Sequence, residues 1–250
     1  MQLPFFIAKR YLISKKSHNL INVISIISVV GLLVGTMALV VVLSVFNGFE
    51  DVIKSLYVTF NADLKISPVK GKTISYTSFP SDEISKIEGV RGISQIVEED
   101  ALFKYGGKQH IARIKGVPDN FVELSRIDTM IVNGSFVLQE GSSSFAVVGA
   151  GIAWHLDIYP QNITNLLSIY VPKRGNASSF NFSSAFNNRA IHPSGVFSIQ
   201  QEFDEKYVFV PLEFARKLLD YTDEVTSFEI RYEPGADGDK IQKEVQSNWG

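Results

Sequence analysis

The sequence predicts a membrane protein with one N-terminal transmembrane helix followed by a mixed α and β domain. The first observation is that no Asp, Glu, Lys or Arg occurs between Lys16 and Glu50. The second is that the rest of the 250-residue chain mixes charges with Gly, Ser, Asn and aromatic residues, as soluble domains do. The third is that short alternating apolar segments and amphipathic segments follow one another in that part.

The segment from Ile21 to Phe46 is long enough to cross a bilayer. Its roughly 26 residues would form about 39 Å of helix, against a hydrocarbon core of about 30 Å. A core helix of a soluble protein rarely lacks a polar face. A cleaved signal peptide has a shorter apolar region and an Ala-x-Ala-like pattern, which "LSVFNG" does not supply. We therefore predict a retained transmembrane helix over residues 20–47.

The charges that flank this helix predict its orientation. Two basic pairs precede it and an acidic pair, Glu50 and Asp51, follows it. The positive-inside rule then places residues 1–19 in the cytoplasm and the residues after about 47 on the other side. Residues 1–19 also alternate apolar and basic side chains, which predicts an amphipathic helix along the inner leaflet, with a disordered basic tail as the alternative.

One face of the predicted span carries small residues. Gly31, Gly35 and Ala38 form a stripe on which a second helix could pack closely, although such pairs also occur by chance in apolar helices. Val42, Val45 and Phe49 continue the stripe toward the outer end. No ionisable residue lies within the span, which argues against a proton relay or an ion pathway in this helix.

The outer part predicts alternating strands and helices. A strand at "ADLKISP", a short helix capped by Ser81 and ended by Gly89, and a hairpin around Gly106-Gly107 come first. Strands near "SFAVVG", "LLSIYVP", "HPSGVFSI" and "KYVFVP" follow, with short helices at "GIAWHLD" and "LEFARKLLDY". The strand "TSFEIRYEP" and the amphipathic helix "GDKIQKEVQSNW" close the chain, and we expect a return strand to follow that helix.

The sequence gives little support for an enzyme or for a protein that binds nucleic acid. The chain has no cysteine, its four histidines lack metal-ligand spacing, and a net charge of −2 offers no basic footprint. "GAGIAW" imitates a dinucleotide fingerprint, but Trp154 replaces the third glycine. We therefore predict no catalytic residue, no metal site and no cofactor in this chain.

The N-terminal residues resemble a known family. The stretch "FFIAKRYLISKKSHNLINVISIISVVGLLVGTMALVVVLSVFNGFED" is similar to the LolC/LolE family, membrane subunits of the ABC complex that releases lipoproteins. "GAGIAWHLDIYP", "LLSIYVP" and "VTSFEIRYEP" also resemble the periplasmic domain of that family. This domain is shared more loosely with MacB-type permeases of the FtsX superfamily, and the resemblance covers essentially the whole chain.

The resemblance implies a permease with four transmembrane helices, of which this chain would hold the first and end before the last three. It implies a cytoplasmic elbow helix at 1–19, the first transmembrane helix at 20–47 and a periplasmic domain at 48–250. Within that domain, about 60–125 would form the first half of a Porter-like unit, 126–232 a Sabre-like unit, and 233–250 the start of the second Porter half.

The implied function is lipoprotein release from the bacterial inner membrane. A separate cytoplasmic ATPase would use ATP and Mg²⁺, a second permease, identical or paralogous, would pair with this one, and acylated lipoproteins would pass to a periplasmic carrier. The alternatives are an FtsX-like signalling permease, a MacB-like efflux subunit, and a domain anchored by a single helix that only binds a partner.

Two candidate sites follow from these considerations. An acyl chain in transit needs an apolar surface near the outer leaflet, which the outer end of the helix offers, although the same side chains could simply face lipid: Val42, Val45, Phe46 and Phe49. The long connection from Lys173 to Ala190 resembles the Hook of LolC-like subunits, which grips the carrier, although it could be an ordinary surface loop. Its candidate carrier-binding residues are Arg174, Phe180, Phe182, Phe186 and Arg189.

Overall fold

The computed structural model describes residues 3–4, 6–7, 10, 19–162, 164–174 and 185–249, with the side chains of 19, 21–22, 51–60 and 248–249 left out. The chain divides into two compact units, Met1–Ser55 and Leu56–Gly250. Each unit is described by itself below.

A long apolar helix dominates the first unit. Helix α1 spans Asn19–Phe60, so it continues through "GFEDVIKSLY" as the sequence predicts. Its segment Val23–Glu50 has 28 residues and a mean hydropathy of 2.8, and none of its most apolar window is buried. Ser28 and Thr36 donate their hydroxyls to helix carbonyls at Ile24 and Leu32. A fully exposed apolar surface of this length needs lipid or other helices around it, which distinguishes α1 from a core helix.

A three-stranded antiparallel sheet opens the second unit. Strand β12 (Ser227–Tyr232) lies between β1 (Leu64–Ile66) and the first part of β3 (Val90–Tyr105). Helices α2 (Ser81–Ile84) and α7 (Gly238–Trp249) belong to this part, and their apolar residues Ile84, Ile241 and Val245 are buried. Among the described residues, β1 pairs with β12 alone. The expected return strand after α7 stays a prediction.

The second part of β3 belongs to a closed barrel. Six strands pair in the circuit β3, β4 (Lys108–Val117), β10 (Tyr207–Pro211), β7 (Ser143–Gly149), β9 (Phe186–Phe197) and β8 (Leu167–Pro172). The circuit closes because β8 pairs with both β9 and β3. Alternate side chains point inward, so Phe103, Ile169 and Val208 are buried in one core. Gly106 and Gly107 both have positive φ, which confirms the predicted hairpin between β3 and β4.

Short elements cover the outside of the barrel. A second apolar cluster forms there around Phe197 and Phe209, on the opposite faces of barrel strands. Helix α3 (Phe121–Ser125), strand β5 (Ile131–Gly134) and helix α5 (Gln201–Asp204) contribute to this second cluster, and β6 (Gln139–Glu140) pairs with β7. The buried apolar side chains of α4 (Ala150–Leu156) and α6 (Leu212–Leu219) belong instead to the barrel core. The strands β2 (Ile74–Ser75) and β11 (Glu224–Val225) pair separately, and two 3-10 turns lie at Tyr76–Ser78 and Ile127–Met130.

Two details differ from the sequence expectations. Pro80 rather than Ser81 is the N-cap of α2, and no side chain caps that helix. The connection from Lys173 to Ala190 is shorter than predicted, because residues 186–190 already belong to β9. The predicted boundary at 232 stays a prediction; in the structure β12, which ends there, pairs with β1 and β3.

A chain of four alternating charges crosses the junction between the two sheets. Lys115 of β4 is 2% exposed and donates to Glu229 of β12 at 2.6 Å. Its ammonium lies 3.3 Å from Glu98 of β3, which also pairs with Lys65 of β1 at 3.1 Å. We call Lys65, Glu98, Lys115 and Glu229 the junction charges. One residue from each of four strands is therefore held in one network.

The burial of Lys115 and Glu229, and of most of Glu98, makes their pairing important, whereas Lys65 is half-exposed. Burial opposes the charge on Lys115, but Glu229 and Glu98 outweigh it, so the pKa of Lys115 lies above its ordinary value. Burial likewise opposes the charge on Glu98, but Lys115 and Lys65 hold its pKa below the ordinary value. Both groups therefore stay charged at neutral pH, and the loss of the Lys115 charge leaves Glu229 buried without its cation.

We expect Lys115→Met to lower the free energy of unfolding by about 3–5 kcal/mol, because Glu229 then stays buried without a cation. The measurement is thermal unfolding of the detergent-solubilised chain, followed by circular dichroism. The matched control is Lys72→Met, which breaks the exposed pair with Glu99 and should cost less than about 1 kcal/mol. Adding Glu229→Leu to Lys115→Met should recover stability. Equal effects of the two lysine substitutions would contradict this account.

Candidate functional site

The outer end of α1 presents the predicted acyl-contact residues on its surface. Val42, Val45, Phe46 and Phe49 are all exposed within the structure. At 100° per residue, Val42, Val45 and Phe49 lie within about 40° of the direction of Gly31, and Phe46 lies about 60° away. These four side chains therefore share one face of the helix with the small residues.

The inner half of the same face is open to close contact. A Cβ atom built on Gly31 or Gly35 would meet no heavy atom within 4 Å. Ala38 lies on the same face one turn further on and is exposed. The face therefore changes from small side chains at Gly31 to large ones at Phe49. A helix packed on it could approach closely at the glycines and would be held further away at the phenylalanines.

The second predicted site begins at the end of the β8–β9 hairpin. Pro172 pairs with Phe186, and the Lys173 amide donates to the Ala185 carbonyl at 2.9 Å. Phe180 and Phe182 lie outside the described residues. Phe186 is the half-buried first residue of β9. We call residues 173–185 the arm, and the structure places its two ends side by side on the barrel.

The base of the arm is fastened to the domain by side chains. Arg174 donates to Glu224 at 2.8 Å and to the Thr73 hydroxyl at 3.2 Å, and its guanidinium lies 4.0 Å from the centre of the Tyr221 ring. On the other side, Asn187 donates to Asp220 at 2.6 Å, and Arg189 donates to the Lys217 carbonyl at 3.4 Å. Arg174 and Arg189 therefore contact the body of the domain, where they can fix the direction of the arm.

The segment "GAG" at residues 149–151, which resembles part of a dinucleotide-binding fingerprint, allows close packing of two helices. A Cβ atom on Gly149 would lie 2.2 Å from the carbonyl oxygen of Asp204, and one on Gly151 would lie 2.4 Å from Cγ of Glu205. The two glycines thus allow α4 to pack against α5. In the part of the chain that the structure describes, no group of three or more His, Asp, Glu or Cys side chains could hold a metal ion.

Two structural features escaped the sequence analysis. The first feature is the network of junction charges, because the alternation of their strands predicts that charged residues face solvent. The one sign of a buried charge in the sequence was Lys115, which lies between Ile114 and Gly116 near the apolar end of β4. The second feature is a cavity of about 600 Å³ beside Trp154 and Tyr159. His155 and Asp157, which lie between these two aromatic residues in the sequence, had not been connected with any site.

A long exposed apolar helix, followed by a small sheet and a barrel that share one strand, defines a membrane protein with an α+β extramembrane domain. The profile of the MacB-like periplasmic core domain matches residues 25–172. The chain belongs to this family, and the domain after α1 is its periplasmic domain. An apolar helix joined to such a domain fits a protein of the inner membrane.

Curated relatives match across both the helix and the domain. The chain is 26% identical over 92% of its length to the lipoprotein-releasing system transmembrane protein LolE of Haemophilus influenzae. It is 23% identical over 91% of its length to LolC of Buchnera aphidicola from Acyrthosiphon pisum. The chain spans about half of the length of these relatives, 55% in each case.

Solved structures of extramembrane domains are also similar. The extracellular domain of the noncanonic ABC-type transporter YknZ matches at 10% identity with a TM-score of 0.47, over 70% of this chain and 79% of that one. The periplasmic region of MacB from Actinobacillus actinomycetemcomitans matches at 10% identity with a TM-score of 0.47, over 67% of this chain and 70% of that one.

We expect Arg174→Gln to raise the pKa of Glu224. The backbone amide of Thr222 and the Arg174 guanidinium stabilise the carboxylate and hold its pKa at about 2, against an ordinary 4.5. The stability that this pairing contributes is present above about pH 4.5 and is lost as the pH falls toward 2. In the variant the pKa should rise but stay below 4.5, because the Thr222 amide still donates. The measurement is a ¹³C NMR titration of the glutamate carboxyls in detergent, and an unchanged Glu224 pKa would show that Arg174 does not anchor the arm.

Proposed function

We propose that this chain is part of a permease subunit of an ABC complex that extracts lipoproteins from the outer leaflet of the bacterial inner membrane and passes them to a periplasmic carrier. The observation that carries the proposal is the match to LolE over 92% of the chain, because it includes both the apolar helix and the periplasmic domain. In this proposal the N-terminus is cytoplasmic and the residues after about 47 are periplasmic.

The shape of the helix face supports extraction of an acyl chain. A second permease, identical or paralogous, would contribute a helix that packs at Gly31, Gly35 and Ala38. The larger side chains from Val42 to Phe49 would keep the two helices apart at the outer end. Each CH₂ group of an acyl chain that enters such an apolar cleft contributes about 0.8 kcal/mol relative to water. The cleft therefore offers a lipid anchor a surface continuous with the bilayer.

The chemistry that drives release would reside in other subunits. The chain supplies no catalytic residue in this proposal, and a separate cytoplasmic ATPase would bind ATP and Mg²⁺. Closure of the paired permeases would then narrow the cleft and displace the acyl chains toward the periplasm. The junction charges support this role, because they join the small sheet to the barrel and allow the periplasmic domain to move as one body.

The arm would hold the carrier. Its central residues include Phe180 and Phe182, which are apolar side chains in a stretch of Ser and Asn, a composition suited to interface anchors. Phe186 and Arg189 lie at its base. Arg174 supports the arm through Glu224 and Tyr221 rather than by a free charge. The function of Arg174 and Arg189 in carrier binding is therefore proposed to be indirect.

Single-cysteine crosslinking tests the acyl-binding face. The chain has no cysteine, so Val42→Cys labelled with a benzophenone maleimide gives one defined probe. In membranes that contain the complete gene product and its ATPase, we expect ultraviolet light to crosslink Val42→Cys to acylated proteins, detected through a metabolically incorporated alkyne fatty acid. ATP should reduce this crosslink, because release empties the cleft.

The matched control for this experiment is Val40→Cys. Val40 is the same residue type at nearly the same depth and with similar exposure, 60% against 65% for Val42. It points about 160° away on the helix. Equal crosslinking from the two positions would indicate plain contact with bulk lipid. Recovery of a cell-wall hydrolase instead of acylated proteins would favour a signalling permease.

Substitution of the arm tests carrier binding. We expect Phe180→Ser combined with Phe182→Ser to reduce carrier recovery in a pull-down at least tenfold, because interface anchors of this kind contribute about 2 kcal/mol or more. Ser178→Ala combined with Ser179→Ala is the matched control and should leave recovery unchanged. The Val42→Cys crosslink should persist in both variants. Undiminished carrier binding by the phenylalanine variant would refute this role of the arm.

A further inference from the structure

An exposed pair of aromatic side chains borders the cavity of about 600 Å³. Trp154 projects from α4 and is 78% exposed, and Tyr159 follows the end of that helix and is 58% exposed. The neighbouring residues Ala153 and Ile158 are buried and form the apolar floor together with Val196. We call this cavity the aromatic pocket. Large aromatic surfaces are costly to expose, and two of them at the border of one cavity are typical of a binding site.

Hydrogen-bond donors point to an acceptor-rich ligand. The Asn133 side-chain oxygen accepts a hydrogen bond from Gln161 at 2.6 Å, which leaves the Asn133 amide nitrogen as a donor at the pocket. Within the described ranges, neither the Trp154 indole nitrogen nor the Tyr159 hydroxyl has an intramolecular partner. An indole nitrogen and an amide nitrogen can only donate. A ligand that fits them presents carbonyl oxygens.

The charges around the pocket are balanced. Lys108 and Asp157 lie on its rim and pair with each other at 3.7 Å. The His155 ring stacks on His110 with their centres 4.9 Å apart, and it meets the Trp154 ring at 5.0 Å. One lysine and one aspartate thus line the pocket and offset each other, so the described lining favours neither an anionic nor a cationic ligand. An uncharged ligand with flat apolar surfaces fits these constraints.

We propose that the aromatic pocket binds an extended, proline-containing polypeptide segment in the polyproline II conformation. Proline has no backbone N–H, so such a segment offers carbonyl acceptors and few donors, and its rings pack flat on aromatic side chains. Its backbone is already ordered, so less conformational entropy is lost on binding. A sugar would instead present about as many donors as acceptors, whereas the Trp154 and Asn133 nitrogens at the pocket can only donate.

The aromatic pocket is separate from the arm. The arm joins β8 and β9 where Pro172 pairs with Phe186, whereas Leu167 and Ile191 pair toward the other end of that hairpin. Lys108 follows the β3–β4 turn, and Lys104 of β3, just before that turn, pairs with Ser168 near the start of β8. Both aromatic residues thus lie toward the end of the barrel that is remote from the arm. A partner could occupy the pocket independently of carrier binding.

The test is the binding of fluorescein-labelled decaproline to the detergent-solubilised chain, measured by fluorescence anisotropy. We expect saturable binding that weakens tenfold or more in Trp154→Ala and in Tyr159→Ala, since exposed aromatic anchors dominate such interfaces. Ile111→Ala, which removes another exposed apolar side chain, should bind like the parent chain. A glycine-serine peptide of equal length should not bind.

The Asn133→Asp substitution distinguishes binding through a specific hydrogen-bond donor from nonspecific adsorption of the peptide. The substitution keeps the shape of the side chain and can still accept from Gln161, but it replaces the donating amide nitrogen with an acceptor. Decaproline binding should fall at least tenfold in this variant. Binding that survives Trp154→Ala or Asn133→Asp would overturn the proposal. Absence of decaproline binding, or Trp154-dependent binding of chitotriose in its place, would also overturn it, and neither result affects the Val42 crosslinking.

Discussion

The periplasmic domain depends on strand β3 and on the charges buried beside it. The first part of β3 pairs with β12 in the small sheet, and from Val97 onward it pairs with β4 in the barrel. A strand shared in this way joins the two sheets without a hinge. The residues where β3 passes from one sheet to the other must therefore fit the packing of both sheets. Lys115 and Glu229 meet there at 2.6 Å, and Glu98 and Lys65 extend the network. Such buried pairs add little net stability over apolar residues, although each charge strongly disfavours any arrangement that separates it from its partner. The network therefore fixes how the small sheet is joined to the barrel.

Local sequence patterns predicted most elements but not their assembly. The charge-free segment predicted α1, the Gly106-Gly107 pair predicted the first hairpin, and alternation predicted β7, β8, β10 and β12. Closure of the barrel depends on the pairing of Leu102–Lys104 with residues 168–170. The small sheet depends on the pairing of β12 with β1, although the barrel strands lie between them in the sequence. Pairings between residues so distant in sequence leave no local periodicity.

The candidate sites were predictable to different degrees. The stripe from Gly31 to Phe49 follows from the 100° rotation of one continuous helix, so the sequence sufficed. The anchoring of Arg174 was not visible, because Glu224 and Tyr221 lie about fifty residues away and approach only after the barrel closes. The aromatic pocket combines Asn133 of β5 with Trp154 of α4 and Tyr159 beyond it. A sequence shows that these residues are aromatic or polar, but their exposure and unused donors are properties of the folded chain.

The barrel strands also constrain how the proposed sites can communicate. Strand β8 is bonded on both edges, to β3 and to β9, so the hairpin that carries the arm cannot bend without breaking the ladders that close the barrel. Arg174 and Asn187 fix the base of the arm to residues near the end of α6 and to β11. Displacement of the base of the arm, at Lys173 and Ala185, would therefore break several hydrogen bonds together. The barrel should therefore behave as a rigid body toward a partner bound near the arm and toward a partner bound at the aromatic pocket. Any movement imposed on β1 and β12 reaches both ends of the barrel through β3 and the junction charges.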